Sequence, residues 1–251
     1  MSKESVYGRQ WDAYVEHWNR DGLRWPGDEW GDSALWDRIF ERLFVTGGVD
    51  GWEKAVEIGP GSGKYTLKVL EQSLVTLRAY DVSAKFLEVC RQRCAEHVES
   101  GRLHLQELEG TRPDEMLSDL RPWRRKVDAF YSIDAMVHVD LQYLIAYLVT
   151  AAVVLRPQGK LILTLANAAS GRGFDALLDC IWRHYPSQVN PLRPGKYEWL
   201  SPDLVEAILP RLGFDIEHLE ANEHEDVILV LATLTRPELE DELERFILPP
   251  D

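Results

Sequence analysis

Short apolar runs alternate along this chain with longer stretches in which apolar residues recur every three or four positions. "EKAVEI" (53–58), "VTLRAY" (75–80), "RLHLQEL" (102–108), "VDAFYSI" (127–133) and "KLILTLA" (160–166) have the length and side chains of strands. The continuous apolar ones suit parallel strands buried on both faces. Between them, "KYTLKVLEQSL", "SAKFLEVCRQRCAEHV" and "DLQYLIAYLVTAAVVL" show the periodicity of amphipathic helices. The last should stop at "RPQG" (156–159), where proline and glycine end a helix and turn the chain. Such alternation predicts an α/β fold with a doubly wound, mostly parallel sheet. Beyond the helix in "SPDLVEAILPRLGF", the runs "FDIEHL" and "DVILVLATL" are joined only by the polar "EANEHE". That predicts a closing antiparallel hairpin.

Two regions depart from this rhythm. The first fifty residues carry Trp11, Trp18, Trp25, Trp30 and Trp36, followed by a helical stripe in "SALWDRIFERLF". Residues 167–200 are polar and rich in Gly, Pro and Arg, and the tail "RPELEDELERFILPPD" reads as an acidic surface helix. No internal repeat or low-complexity tract interrupts the pattern.

Composition narrows the function classes. With 251 residues the chain can bury one sizeable core. Its formal charge of −14 repels polyanions, so nucleic acid and anionic membrane are poor partners. Three cysteines make no disulfide framework and include no CxxC pair; Cys90 and Cys94 share a helix stripe, so burial is expected. The N-terminus has no apolar h-region and no stretch suits a membrane span, which makes a cytoplasmic location the expectation.

The chemistry starts at "VEIGPGSGKYT" (56–66). A phosphate-cradling loop of the G-x-x-x-x-G-K-[ST] type needs glycine where Ile58 stands and a hydroxyl where Tyr65 stands. A dinucleotide fingerprint needs a third glycine where Lys64 stands. What remains is Glu57 followed by Gly59, Gly61 and Gly63 at alternate positions. Glycines let the strand end turn tightly and approach a ligand, and a carboxylate at Glu57 can receive an ammonium group. Asp81 ends the next strand about twenty residues on, where an acid accepts hydrogen bonds from both ribose hydroxyls. Val82 then lies beside a nucleobase face. A ligand with an amino-acid end and a nucleoside end fits this set better than ATP or NAD.

These segments resemble the class I S-adenosylmethionine-dependent methyltransferases. "VEIGPGSG" is similar to their first motif, "YDVS" to their second, "VDAFYSIDAMVHVD" to their fourth-strand motif, and "VLRPQGKLILTL" to their turn into strand five. The resemblance covers residues 50 to 235 and implies a seven-stranded sheet with a closing hairpin. It implies S-adenosylmethionine as cofactor, with Glu57, Gly59, Pro60, Gly61 and Gly63 on the methionine portion and Asp81 on the ribose. Asp134 and Met136 would flank the cofactor. The third strand departs from the pattern: the acid expected for the adenine amino group falls on Leu108 or Glu109, depending on register. The organisation implied is a single domain over 1–251. It comprises a helical lid (1–50), a cofactor-binding core (51–166), an acceptor-side insert (167–200), and a closing helix, hairpin and tail (201–251).

On the acceptor side, "DAMVHV" resembles a segment in which two acids and a histidine ligate a metal. Here the second acid is Val137, and Asp134 with His138 alone make a weak site, so no metal is expected. His138 remains a candidate general base, because an imidazole near its ordinary pKa can take a proton as a methyl group moves; the bland alternative is that it orients the helix beginning at Asp140. Trp11 and its neighbours either pack a helical layer or close a lid over the cofactor, and Trp11 counts as a candidate contact. Arg172, Arg183, His184, Arg193 and Lys196 form a mildly basic patch that suits an anionic acceptor group or plain solvation. The acceptor expected is a small molecule or a glycan, methylated on oxygen. The rivals are a cofactor-binding pseudoenzyme and a nucleotide-dependent enzyme with Lys64 on a phosphate.

Overall fold

The structure, a computed structural model, describes residues 6–19, 21–31, 33–110, 113–181, 197–222 and 226–247. The chain divides into two compact units, the first within residues 1–111 and the second within 112–181 and 197–251. The fold is mixed α/β with mostly parallel strands and a closing antiparallel pair.

The first unit opens with helices α1 (Val6–His17) and α2 (Ser33–Ile39), the latter continuing into a π-helical turn over Phe40–Val45. Then follow β1 (Lys54–Ile58), α3 (Lys64–Gln72), β2 (Thr76–Asp81), α4 (Ala84–Arg93), α5 (Ala95–Glu99) and β3 (Leu103–Glu107). The three strands are parallel in the order β3-β2-β1. Ala55, Val56, Leu77 and Ala79 are completely buried, so β1 and β2 present the strand ends from a fixed position. Helix α3 lays Tyr65, Val69 and Leu70 into this core, and the expected Cys90 and Cys94 stripe is buried in α4 and its end.

The second unit holds α6 (Pro113–Leu120), β4 (Val127–Ser132), α7 (Leu141–Val154), β5 (Leu155–Asn167) and α8 (Gly171–Cys180). It continues with β6 (Trp199–Leu200), α9 (Pro202–Ile208), β7 (Phe214–Glu220), β8 (Val227–Leu234) and α10 (Glu240–Glu244). β4 runs parallel to β5, and β8 lies antiparallel between β5 and β7. Every residue of β4 is buried, including Asp128, whose carboxylate accepts from Arg156 Nε at 2.6 Å.

Four details correct the sequence reading. An eighth strand, β6, pairs in parallel with the end of β5 through Ala166 and Asn167. Two residues are too few to register as a hydrophobic pattern. "RPQG" is no turn after α7: the helix passes straight into β5 at Leu155, which already pairs with Val127. The proline and glycine sit in an irregularity of that pairing, with Gln158 at φ +66°. The insert contains helix α8, capped by the Ser170 hydroxyl, which accepts from Gly173 N at 2.9 Å. The tail helix α10 spans five residues and is not purely a surface element, because Glu240 is buried between Arg124 and Arg125.

Candidate functional site

In the first unit the ends of β1 and β2 and the loop before α3 bring six sequence-singled residues to one corner. Gly59, Gly61 and Gly63 all have positive φ, with Gly59 N donating to Tyr80 O and Gly63 N to Pro60 O, each at 2.8 Å. Gly63 is the most tightly specified: φ is +84°, and a Cβ there would stand 2.9 Å from Cys90 Sγ and 3.2 Å from Cys94 Sγ. The buried thiols thus form the wall behind the loop. Among the described residues, a Cβ on Gly61 would meet only the Phe86 ring, at 3.9 Å.

Glu57 is 3% exposed in the register position opposite Ala79, and its carboxylate accepts from the Thr66 hydroxyl at 2.7 Å. Asp81 closes β2. Its two oxygens accept from Ser83 N at 2.9 Å and from Gly61 N at 3.3 Å, joining the second strand end to the glycine loop. Burial pushes the Asp81 carboxyl up to about 6, against the pull of its backbone N–H bonds, and the charge of Asp12 adds to the rise. Val82 follows, half-buried.

The doubtful third-strand corner resolves into two different environments. Leu108 is buried, and its N–H donates to Asp81 O at 2.8 Å, so its amide is already engaged by the second strand. Glu109 is exposed. Trp11 lies in α1 with its ring 6.0 Å from Phe86 and 5.9 Å from Trp30, within an aromatic cluster that includes Tyr14.

Lys64, which invites a phosphate reading, is engaged elsewhere. Its ammonium donates to Gly27 O at 3.0 Å and sits 4.0 Å from the centre of the Trp36 ring. Arg93 bonds Asp28 at 3.0 Å and Ser62 Oγ at 3.3 Å. Glu29, next in the same turn, accepts from Trp18 Nε1 and Gly27 N, each at 2.9 Å, and from the Tyr14 hydroxyl. Both cations therefore bind the N-terminal segment to the loop. Sequence reading missed Asp28 and Glu29 because the first is held by the distant Arg93, and the second by Tyr14 and Trp18 of the preceding segment, in no recognisable spacing.

In the second unit Asp134 stands just past β4 at φ +58°, and its N–H donates to Thr164 Oγ1 at 2.7 Å. A 3-10 turn over Met136–His138 follows, with Met136 and Val137 buried and His138 half-buried. The imidazole lies edge-on to Tyr197 at 4.8 Å, and Tyr197 stacks on Trp199 at 5.5 Å. This aromatic row is fixed by backbone: Glu198 N donates to Val137 O at 2.7 Å, and β6 holds Trp199 against β5. The indole N–H of Trp199 is buried with no hydrogen-bond partner among the described residues. The start of α7 is capped at Asp140, not at His138. Arg172 lies 3.7 Å from Asp226. Arg183, His184, Arg193 and Lys196 lie outside the described residues.

Residues 56–163, which include the Glu57 loop, the Asp81 corner and the Asp134–His138 segment, match the family described as "Methyltransferase domain". Over these residues the chain carries a methyltransferase domain, which supports membership of the class I S-adenosylmethionine-dependent methyltransferases. Solved structures agree on the fold of this methyltransferase. Magnesium protoporphyrin IX methyltransferase from Synechocystis PCC 6803 superposes with a TM-score of 0.61 at 17% identity, covering 90% of this chain and 95% of that one. An O-methyltransferase family protein from Burkholderia thailandensis gives 0.57 at 18% identity, covering 80% and 55%. The carbon methyltransferase CurJ gives 0.51 at 17% identity, covering 72% and 48%. The methyltransferase thus shares its fold with enzymes of oxygen and of carbon methylation. No curated protein matches its sequence. No helix among the described residues is long and apolar enough to cross a membrane.

Proposed function

We propose that this methyltransferase transfers a methyl group to a hydroxyl of a small molecule, with His138 accepting the hydroxyl proton. The observation that carries the acceptor reading is the row of His138, Tyr197 and Trp199. Half-buried aromatic rings give a planar or apolar molecule a rigid surface, and the imidazole at one end supplies a candidate general base.

For the cofactor, the proposed roles follow the corner in the first unit. The Glu57 carboxylate, held by Thr66, receives the ammonium of the methionine portion. Gly59, Pro60, Gly61 and Gly63 give the loop its close approach, the glycines at positive φ. Asp81 accepts the ribose hydroxyls and Val82 meets the adenine. Glu109 replaces Leu108 as the third-strand candidate. In the second unit, Asp134 and Met136 are proposed as cofactor neighbours by family likeness. The cofactor supplies an electrophilic methyl on sulfur; the S–C bond breaks, an O–C bond forms, and the electron pair returns to sulfur. The protein orients the hydroxyl and holds its proton on His138, and correct positioning supplies much of the rate.

A glycan acceptor is the second reading, since stacked Tyr197 and Trp199 also suit the C–H face of a sugar ring. An acceptor screen with labelled S-adenosylmethionine, comparing naphthols, aliphatic alcohols and methyl glycosides, tests both. Methylation of the naphthols on oxygen, lost in His138→Ala, supports the first reading. Methylation confined to glycosides selects the second, and an intact rate in His138→Ala removes the base.

A further inference from the structure

Asp12, in α1, holds a position that no motif assigns. Its Oδ1 accepts from the Ser83 hydroxyl at 2.6 Å and from Lys85 N at 3.0 Å. Ser83 is itself the N-cap of α4, accepting from Phe86 N at 3.1 Å. Its single O–H goes to Asp12, so α4 is capped twice: once by its own sequence and once from α1. A carboxylate there also meets the positive end of the helix dipole.

The same turn carries Asp81. Ser83 N donates to Asp81 Oδ1 at 2.9 Å, which places carboxylates on both sides of a three-residue turn. The charged groups facing it are Asp12 from α1, Glu107 in register on β3, and Lys85 on α4. Lys85 does little to balance the pair, because its ammonium is drawn to Glu16 at 3.0 Å.

We propose that Asp12 is a positioning residue for the cofactor corner: it docks α1 on the turn that carries Asp81, and its charge there steepens the pH dependence of cofactor binding that the burial of that turn sets up. This rests on the reading of Asp81 as the ribose acceptor. Burial is the larger cause of the raised Asp81 carboxyl and Asp12 the smaller. Ribose hydroxyls donate to the ionised form, so binding draws the proton off Asp81 below about pH 6 and needs no such release well above it. Removing the charge of Asp12 but keeping its acceptor oxygen should therefore move the profile without undocking the helix.

Calorimetric titration of the full chain with S-adenosylhomocysteine, from pH 5 to 8, tests this. The wild type should bind about tenfold more weakly at pH 5 than at pH 8. Asp12→Asn should match it at pH 8 and bind about two- to threefold more tightly at pH 5. Asp12→Ala, losing both bonds, should bind about tenfold more weakly at pH 8, with far-UV circular dichroism confirming that it is folded. Superimposable wild-type and Asp12→Asn profiles overturn the inference, as does full affinity in Asp12→Ala. A wild type that binds at no pH refutes the ribose reading itself, a failure visible before either variant is made.

Discussion

At the scale of single residues, two acids in the first unit, Asp81 buried and Glu29 half-buried, pull stability in opposite directions with pH. Asp81 has a folded carboxyl raised from 3.8 to about 6, so between those values the folded protein holds the proton more tightly than the unfolded chain. Its contribution is lost as pH rises through that window. We expect Asp81→Asn to stabilise the ligand-free protein at pH 7 by about 1–2 kcal/mol, with the gain gone by pH 4. The same substitution should weaken S-adenosylhomocysteine at least about a hundredfold. Glu29 is the counterpart: burial pushes its carboxyl up, but bonds from Tyr14, its own backbone, Trp18 and Gly27 outweigh that and hold it below the usual range. Its contribution is present above the ordinary carboxylate pKa and disappears as pH falls through the lowered one. Glu29→Gln should therefore lower the melting temperature at pH 7 and converge with the wild type in acid. Thermal melts across pH 4–8 check both signs.

Among elements, the second unit offers two direct tests. Gly173, in the first turn of α8, passes so near the end of β5 that a Cβ would stand 1.6 Å from Asn167 O. Gly173→Ala forces strand and helix apart, and we expect a loss of about 2–3 kcal/mol by chemical denaturation. Glu240 is buried between Arg124 and Arg125, and Arg124 also reaches Glu244 at 2.6 Å. Because both arginines are partly exposed, Glu240→Gln should cost about 1–2 kcal/mol, seen in the same experiment.

The long elements were legible because each repeats one signal many times. β4 is a mostly apolar run interrupted by Asp128, and α7 and β8 are apolar over most of their length. What escaped is local or distant. α8 had a readable cap in Ser170 and apolar residues at 174, 178 and 181, but these are exposed, and "GRG" outweighed them. β6 is defined by pairing with β5, not by its two residues. In the site, Glu57, the glycines and Asp81 were legible because their roles impose spacing on contiguous sequence. Asp12, Asp28 and Glu29 were not, since each is given meaning by partners that only folding brings near. Lys64 misled for that reason: the residue suggests phosphate, and its partners Gly27 and Trp36 lie in the preceding segment.

For the molecule as a whole, one equilibrium gathers these statements. A ligand that binds only the folded state at a hundred times its dissociation constant adds about 2.7 kcal/mol. In a chain of this size that raises the melting temperature by about 5–10 °C. We expect that shift with S-adenosylhomocysteine and none with ATP or NAD, whose phosphates would have to win Lys64 from Gly27 and Trp36. A shift with ATP alone would restore the nucleotide reading.

The cluster of Trp11, Tyr14, Trp30 and Phe86 gives the protein a built-in optical instrument. Tyr14 lies 5.2 Å from Trp30 and 6.1 Å from Trp11, close enough to hand its excitation to either indole. Release of α1 would part Trp11 and Tyr14 from Trp30 and wet the rings, so tryptophan emission would move to longer wavelength. The docking of that helix can thus be followed in a stopped-flow fluorimeter with no dye attached, on the unmodified chain.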